Sequence, residues 1–545
     1  MGLEKSFMKK IATSENIENF SQNDYIYIDK TEYIYNLIEN NERVFFSRPR
    51  RFGKSLTLNT IGTLFAKGVD PYLKGTFIYD KWKQDKYPVL HLNFLEYRVK
   101  SATEFKQIFS KKIADFAIEQ GLGEVVKSHE PDLAIAELFS ALKERQIVIL
   151  IDEYDCQLSA NINNRELYEE FRTCIREFYA TLKGKKQIRF LAVTGVTRLK
   201  DVSIFSVGSD IADLSYDHTC SQMIGFTRDE IKKFYLDYLK LGVGYEQHKE
   251  PDKVTDEEIE NLLDRMAEQY DGYCFDEFYE NKVFSTYSVN KFLNALAQKK
   301  RTVFGDYWYE AGGVPSILKK YLESHKINLE KFQNTEIEVD FNDFLNPTAL
   351  PTMDENVLMC QTGYLTLKSP IDWNDDIILG IANREVRSPL FALLSLRVFT
   401  HNVSPYFGQR QFIVEHGSCE DIISLFNSVL SAVPYDKYPI NNESVLRALL
   451  QLYLLGKDHD VRVEQHNSKG RSDLIVNFQK RRVVIELKFS SDGRNSEALL
   501  KEAVNQIEDK EYGTENLGGR ELLKIAGVFN GDKKVRRITS YELIA

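Results

Sequence analysis

Two apolar runs near the C-terminus, Leu474-Ile-Val and Val483-Val-Ile, flank the largely polar stretch Asn477–Arg482 and predict a β-hairpin. A strand sends alternate side chains to opposite faces, so Glu486 and Lys488 share one face while Ile485, Leu487 and Phe489 share the other. Upstream, Arg43–Ser47, Pro88–Phe94, Ile147–Ile151 and Ile188–Thr194 are short, near-continuous apolar runs, the pattern of strands covered on both faces of a parallel sheet. His91, inside the second run, reads as a packed core residue. Leu56–Phe65 is amphipathic, and Thr227–Lys240 and Asp256–Tyr270 carry helical periodicity behind acidic first turns. Asp354–Thr362 predicts a helix, Tyr364–Leu367 and Asp376–Ile381 a pair of strands, and Ser418–Val433 another helix. Asn442 is placed to cap a helix starting near Glu443; Val461–Gln465 predicts a strand and Lys501–Ile507 a helix. Alternation of strands and helices over this length predicts an α/β multidomain chain.

The polar residues at the ends of those runs carry the candidate chemistry. After Arg43–Ser47 comes Arg48-Pro-Arg-Arg-Phe-Gly-Lys-Ser55 and then the amphipathic helix, the strand–loop–helix layout of a phosphate-binding loop. Arg50, Arg51, Phe52, Gly53, Lys54, Ser55 and Leu56 are the candidate nucleotide-binding positions. Their backbone N–H groups and a helix N-terminus would wrap phosphates. Lys54 would reach the β- and γ-phosphates, and Ser55 would ligate Mg²⁺. Arg48 stands where a P-loop has its first glycine. Asp152 and Glu153 end the apolar run Ile147–Ile151, with Asp152 expected in the Mg²⁺ shell and Glu153 expected to polarise the attacking water of ATP. Thr194 would lie beside the γ-phosphate at the tip of the next strand, and Arg198 is a candidate charge-stabilising arginine.

In the C-terminal hairpin, Asp473 and Glu486 offer hard oxygen ligands at a spacing that suits Mg²⁺. Lys488 beside them could orient a water or help deprotonate it. Metal-assisted phosphodiester hydrolysis needs that set. A solitary Glu-x-Lys is an ordinary solvated strand face; the surrounding motif gives this one its weight.

Global properties narrow the classes. A length of 545 residues implies roughly three or four domains. The chain is 43% hydrophobic and 28% charged, with net charge −10, so any nucleic-acid surface must be local. Candidate basic patches are Lys183–Arg189, Lys480-Arg-Arg482 and Lys533–Arg537. The six cysteines are scattered without a CxxC pair, which argues against zinc and suits a reducing compartment. No apolar window of about 18 residues is present and the N-terminus has no signal-peptide pattern, so no membrane span and a cytoplasmic location are expected.

Tyr27-Ile-Asp-Lys-Thr31, Arg48–Ser55, Asp152-Glu-Tyr-Asp155 and Gly195-Val-Thr197 together resemble the bacterial AAA-ATPase-like family, whose P-loop also reads RPRRFGKS. Ile224–Thr227, Tyr270–Phe275, Ser288–Leu293, Tyr307-Trp308, Gln361–Leu365 and Asn383–Val386 extend that resemblance along the middle of the chain. Gly470-Arg-Ser-Asp473 and Glu486-Leu-Lys488 resemble the PD-(D/E)XK nuclease superfamily, a domain this ATPase-like family commonly carries at its C-terminus. The nuclease resemblance implies that Gln506, with Tyr512, is the trailing element of that site and that Glu443 on the leading helix approaches the metal; Glu464 is a weaker candidate. The implied layout is a P-loop ATPase domain over 1–225 (parallel sheet sandwiched by helices), a helical lid over 226–300, a mixed and possible winged-helix middle over 301–420, and a restriction-endonuclease-like α/β domain over 421–545.

The expected function is ATP binding and hydrolysis, with ATP and Mg²⁺ as cofactors, coupled to Mg²⁺-dependent cleavage of nucleic acid, DNA in the first place. Phage defence or mobile-element biology is the setting the resemblance suggests. The alternatives are an ATP-dependent nucleic-acid-binding switch that does not cut and a signalling ATPase with a protein partner. A homo-oligomer is also open, since P-loop ATPases with trans-acting arginines often assemble.

Overall fold

The computed structural model describes residues 8–12, 15–97, 99–200, 210–310, 316–325, 327–328, 336–347, 349–372, 376–399, 410–455, 460–466, 471–514 and 517–544. Its contacts divide into two compact units, one formed by 1–321 with 338–386 and the other by 322–337 with 387–545.

The first unit is built on strands β1 (Arg43–Ser47), β2 (Val89–Asn93), β3 (Ile147–Asp152), β4 (Ile188–Gly195) and β5 (Ala212–Asp213), in the order β2-β3-β4-β1-β5. All the neighbouring strands run parallel. β1 and β3 are buried at every position, as expected for strands covered on both faces. β2 is an edge strand, and there His91 is exposed between buried Leu90 and Leu92, which corrects its reading as a core residue: alternation puts its side chain on the opposite face from those leucines.

The helices Arg228–Phe234, Leu236–Gln247, Asp256–Tyr270 and Thr286–Lys299 form a separate apolar core with Leu239, Leu262, Met266, Phe292 and Leu296 at its centre. The helix expected over Thr227–Lys240 is two helices meeting at Tyr235, with Thr227 opening the first in a capping box with Glu230. Tyr235 is buried and its hydroxyl donates to Asn290 at 2.6 Å; packing breaks a helix that local periodicity would continue. Further along, the helix Glu355–Gln361 leads into the antiparallel pair β7 (Leu365–Leu367) and β8 (Ile377–Ile381), and β6 (Glu336–Val339) completes a three-stranded sheet in the order β6-β8-β7.

The second unit carries a five-stranded mixed sheet of β9 (Asp460–His466), β10 (Arg471–Asn477), β11 (Arg481–Ser490), β12 (Glu521–Asn530) and β13 (Arg537–Ile544), in the order β13-β12-β11-β10-β9. β10 and β11 form the expected hairpin, but β11 is the central strand of the sheet and pairs with β12 in parallel on its other side. A parallel pair needs a crossover, here the helix Ser496–Lys510, whose Ala503 and Ile507 pack on Ile475, Val484 and Ala526. Glu486 is therefore buried in the middle of a sheet, not presented from the edge of a hairpin. Before the sheet, the helices Cys419–Ser431 and Glu443–Leu455 are capped by Ser418 and Asn442, the latter accepting from the Val445 N–H at 2.7 Å.

Candidate functional site

In the first unit the candidate loop leaves the end of β1 and enters the helix Lys54–Lys67 through Gly53, whose φ of 110° a side chain would strain. Arg51 (φ 67°) is also left-handed, and such reversals turn successive amides toward one point, the geometry of an anion nest. Lys54 is buried; its ammonium donates to the carbonyls of Arg48 (3.0 Å) and Pro49 (3.2 Å) and lies 3.4 Å from the Glu153 carboxylate. Arg50 and Leu56 are half-buried, Phe52 is fully buried and Arg51 is exposed. The Arg51 guanidinium stacks over Tyr287 at 4.5 Å.

Arg48 explains the missing glycine. Its side chain turns inward, fully buried, and donates to the carbonyls of Ser47 (2.8 Å), Ser215 (2.7 Å) and Cys220 (3.4 Å) while lying 4.2 Å from the Phe275 ring. Burial pulls its pKa down to about 10, which still leaves it charged at neutral pH. It anchors the loop and takes no part in the concave side.

Asp152 and Glu153 sit where β3 ends. Asp152 is buried, and neither carboxylate oxygen has a hydrogen-bond partner. Burial first, and Glu153 second, push its pKa up to about 6, against the pull of Ser55 and Lys54. A buried carboxylate in that state is costly unless something compensates it, and Asp152 with the neighbouring Ser55 hydroxyl is the hard-oxygen donor set a divalent cation takes. Glu153 has φ 52°, an unfavourable backbone for a non-glycine residue and of a kind that clusters at working sites.

Behind them Asp155, which the sequence showed only as part of a motif, accepts from the N–H groups of Val196 (3.2 Å) and Thr197 (2.7 Å) and clamps the ends of β3 and β4 together. Thr194, at the end of β4, is buried with its hydroxyl unpartnered. Arg198 is already engaged: its guanidinium pairs with Asp213 and donates to the Leu345 carbonyl, and its backbone N–H donates to Gln361 at 3.1 Å. A free charge-stabilising arginine is thus not what the structure presents; the nearby carboxylate already neutralises it.

In the second unit, Glu486 and Lys488 share a face of β11 and meet two helices. The Lys488 ammonium donates to Gln506 (3.0 Å) and lies 3.9 Å from Glu486, 4.0 Å from Glu443 and 3.3 Å from Glu502. Gln506 in turn donates to the Tyr512 hydroxyl at 3.3 Å. Glu443, at the start of its helix, accepts from the Phe489 N–H at 3.3 Å. Burial lowers the Lys488 pKa, but Glu443, Glu486 and Glu502 outweigh it and hold the ammonium above its ordinary value. Lys488 therefore stays charged: it can orient a water or stabilise phosphate charge, and it is not a neutral-pH base. Glu502 was not singled out from sequence; its position one helical turn before Gln506, on the same face, was the available signal.

Asp473 belongs to β10, and since Leu474 pairs with Ile485, Asp473 and Glu486 are the next residues along the two strands. The Asp473 and Glu464 side chains, and Gly470 entirely, lie outside the described residues. Among the described residues no group of three His, Cys, Asp or Glu side chains is placed to hold a metal ion.

The basic patches resolve differently. Arg482 is buried, donating to Asn477 (2.7 Å) and the Gly513 carbonyl (2.8 Å), and Arg481 pairs with Glu521 at 2.9 Å. Those two are structural. Lys533 and Lys534 are exposed. Among the described residues no helix is long and apolar enough to cross a membrane.

Comparison with known proteins agrees with both regions. Residues 12–205 match the family model described as predicted AAA-ATPase, and residues 441–538 match that of the PD-(D/E)XK nuclease superfamily. An uncharacterized protein in the vnfD 5' region of Azotobacter chroococcum mcd 1 is 28% identical over 531 residues, covering 94% of each chain. Among solved structures, a Walker-type ATPase of Pyrococcus abyssi aligns with 67% of this chain and 95% of its own at 13% identity and TM-score 0.34. The Orc1 protein of Aeropyrum pernix, solved in complex with DNA, aligns with 70% of this chain and 97% of its own at 8% identity and TM-score 0.28. The chain thus joins a predicted AAA-ATPase region to a region of the PD-(D/E)XK nuclease superfamily.

Proposed function

We propose that this protein binds and hydrolyses ATP at the Lys54 loop and uses that cycle to control cleavage of nucleic acid, DNA in the first place, at the Glu486–Lys488 strand. The observation that carries the reading is the convergence of Glu443, Glu486 and Gln506 on the Lys488 ammonium, all within 4.0 Å, in a region matching a nuclease superfamily. Mg²⁺, when bound through Ser55 and Asp152 in one region and through Asp473, Glu486 and Glu443 in the other, would neutralise phosphate charge.

The roles of the chain's own groups follow. The amides of Arg50–Leu56 and the Lys54 ammonium bind the triphosphate; Glu153 orients the attacking water and accepts its proton; Thr194 contacts the terminal phosphate. Lys488 stays protonated and holds a water or a phosphate oxygen, and Gln506 fixes its direction. In this scheme 1–225 is the ATPase domain, 226–300 its lid, 301–420 a connecting, winged-helix-like region and 421–545 the cutting domain, in a cytoplasmic protein.

The test is incubation of the purified protein with plasmid and with RNA, with and without Mg²⁺ and ATP, beside Asp473→Ala and Lys488→Ala. Both variants are expected to lose cutting and keep ATP hydrolysis; loss of both activities together would overturn the modular scheme. A second reading, a nucleic-acid-binding switch that does not cut, is favoured by the three carboxylates already engaged around Lys488. Binding that never yields product at any Mg²⁺ concentration selects it.

A further inference from the structure

The outer side of the phosphate-binding loop is held by residues more than 200 positions further along the chain. The Trp308 indole N–H donates to the Arg50 carbonyl at 3.1 Å, and the Thr286 hydroxyl donates to the Arg51 carbonyl at 3.0 Å. Gly363 packs so closely on Pro49 that a Cβ there would come within 2.8 Å of it, and its φ of 93° independently favours glycine. Phe52 is wedged edge-on against Tyr273, with ring centroids 4.7 Å apart.

Trp308 is itself fixed. It is fully buried, edge-on to Tyr364 at 5.4 Å, and its backbone N–H donates at 2.9 Å to Glu385. Glu385 is completely buried, accepts a second bond from the Ser288 hydroxyl at 2.7 Å, and is pushed up to about 8 in pKa by its burial. Nothing in the proposed ATP chemistry uses it.

The peptide unit gives these contacts a consequence. A trans peptide is planar, with its carbonyl and the following N–H pointing in opposite directions. Holding the Arg50 carbonyl outward therefore aims the Arg51 N–H inward, and holding the Arg51 carbonyl outward does the same for the Phe52 N–H. A loop with arginine in place of its first glycine would otherwise have to preorganise those amides by backbone preference alone.

We propose that Trp308 and Glu385 are positioning residues for nucleotide binding: the indole N–H fixes the peptide after Arg50 with its amide facing the phosphates, and Glu385 fixes Trp308. The proposal rests on the Lys54 loop being the nucleotide site. Since neither side chain touches the nucleotide in this scheme, their loss weakens ATP and ADP alike and raises the KM for ATP more than it lowers kcat.

The full-length protein and its Trp308→Phe, Glu385→Ala, Glu385→Gln and Thr286→Val variants are titrated with a fluorescent ATP analogue and Mg²⁺, with circular dichroism as the check on folding. Trp308→Phe, Glu385→Ala and Thr286→Val are expected to weaken binding about fivefold, the equivalent of one hydrogen bond. Glu385→Gln keeps a carbonyl acceptor and is expected to stay near wild type. Wild-type affinity in folded Trp308→Phe and Thr286→Val overturns the proposal; should Trp308→Phe fail to fold, wild-type affinity in Thr286→Val, at the surface end of the clamp, does so alone. A wild-type protein that binds no nucleotide overturns the underlying assignment of the loop instead.

Discussion

The Glu443 carboxylate accepts a hydrogen bond from the Phe489 N–H at 3.3 Å, tying the first turn of one helix to the strand that carries Glu486 and Lys488. The same carboxylate lies 4.0 Å from the Lys488 ammonium. Glu443→Gln keeps an oxygen for the Phe489 amide and removes only the charge. It is expected to reduce Mg²⁺-dependent cleavage about 10–100-fold and shift the Mg²⁺ titration to higher concentration, with ATP hydrolysis unchanged. An unaltered Mg²⁺ titration would remove Glu443 from the metal set.

Asp152 should cost the protein stability in exchange for function. Its folded pKa is raised from 3.8 to about 6, so the folded state holds an extra proton between those values. The sign follows: the contribution is fully present below pH 3.8 and is lost as pH rises through about 6, leaving an ionised, unpartnered carboxylate above that. Asp152→Asn should therefore raise the melting temperature of the nucleotide-free protein at pH 7.5, by on the order of 1–3 kcal/mol of stability, and much less near pH 4. The same variant should lose ATP hydrolysis. Melting curves at the two pH values, beside a phosphate-release assay, check both halves.

Arg48→Gly would restore the usual first residue of a phosphate-binding loop, yet it should damage this protein. It strips donors from three buried carbonyls, those of Ser47, Ser215 and Cys220, and empties the space against Phe275. A loss on the order of 2–5 kcal/mol is expected, read by chemical denaturation. A glycine variant as stable as the wild type would show that the inward guanidinium is dispensable.

Two kinds of basic residue near the C-terminus should separate in a binding experiment. Arg482→Ala leaves Asn477 and the Gly513 carbonyl without their donor and should lower stability by about 1–3 kcal/mol. Lys533→Ala with Lys534→Ala, both exposed, should leave stability alone and reduce nucleic-acid affinity, with a shallower salt dependence. Equal salt slopes for the double variant and the wild type would exclude that patch.

Much of the fold was legible because periodicity is local. The helix Asp256–Tyr270 coincides with its expected span, and four of the parallel strands fall within a residue or two of theirs. The candidate residues at their ends were legible for a related reason: a strand tip followed by Gly-Lys-Ser, or by Asp-Glu, carries its chemistry within a few consecutive positions. Helix breaks were less so. Tyr235 interrupts a periodic run because its hydroxyl reaches Asn290, a partner that no local window contains.

By itself, then, the sequence determined which segments become strands and helices and which of their ends carry acids, lysines and a glycine turn, because backbone preference and side-chain alternation act over neighbours. Tertiary structure decided what those groups face. It turned Arg48 into the core, engaged Arg198 with Asp213, left His91 exposed on an edge strand, brought Glu502 to Lys488, and set Trp308 and Thr286 behind the loop. These outcomes are fixed by how layers pack and which face each residue is given, which neighbours along the chain do not settle.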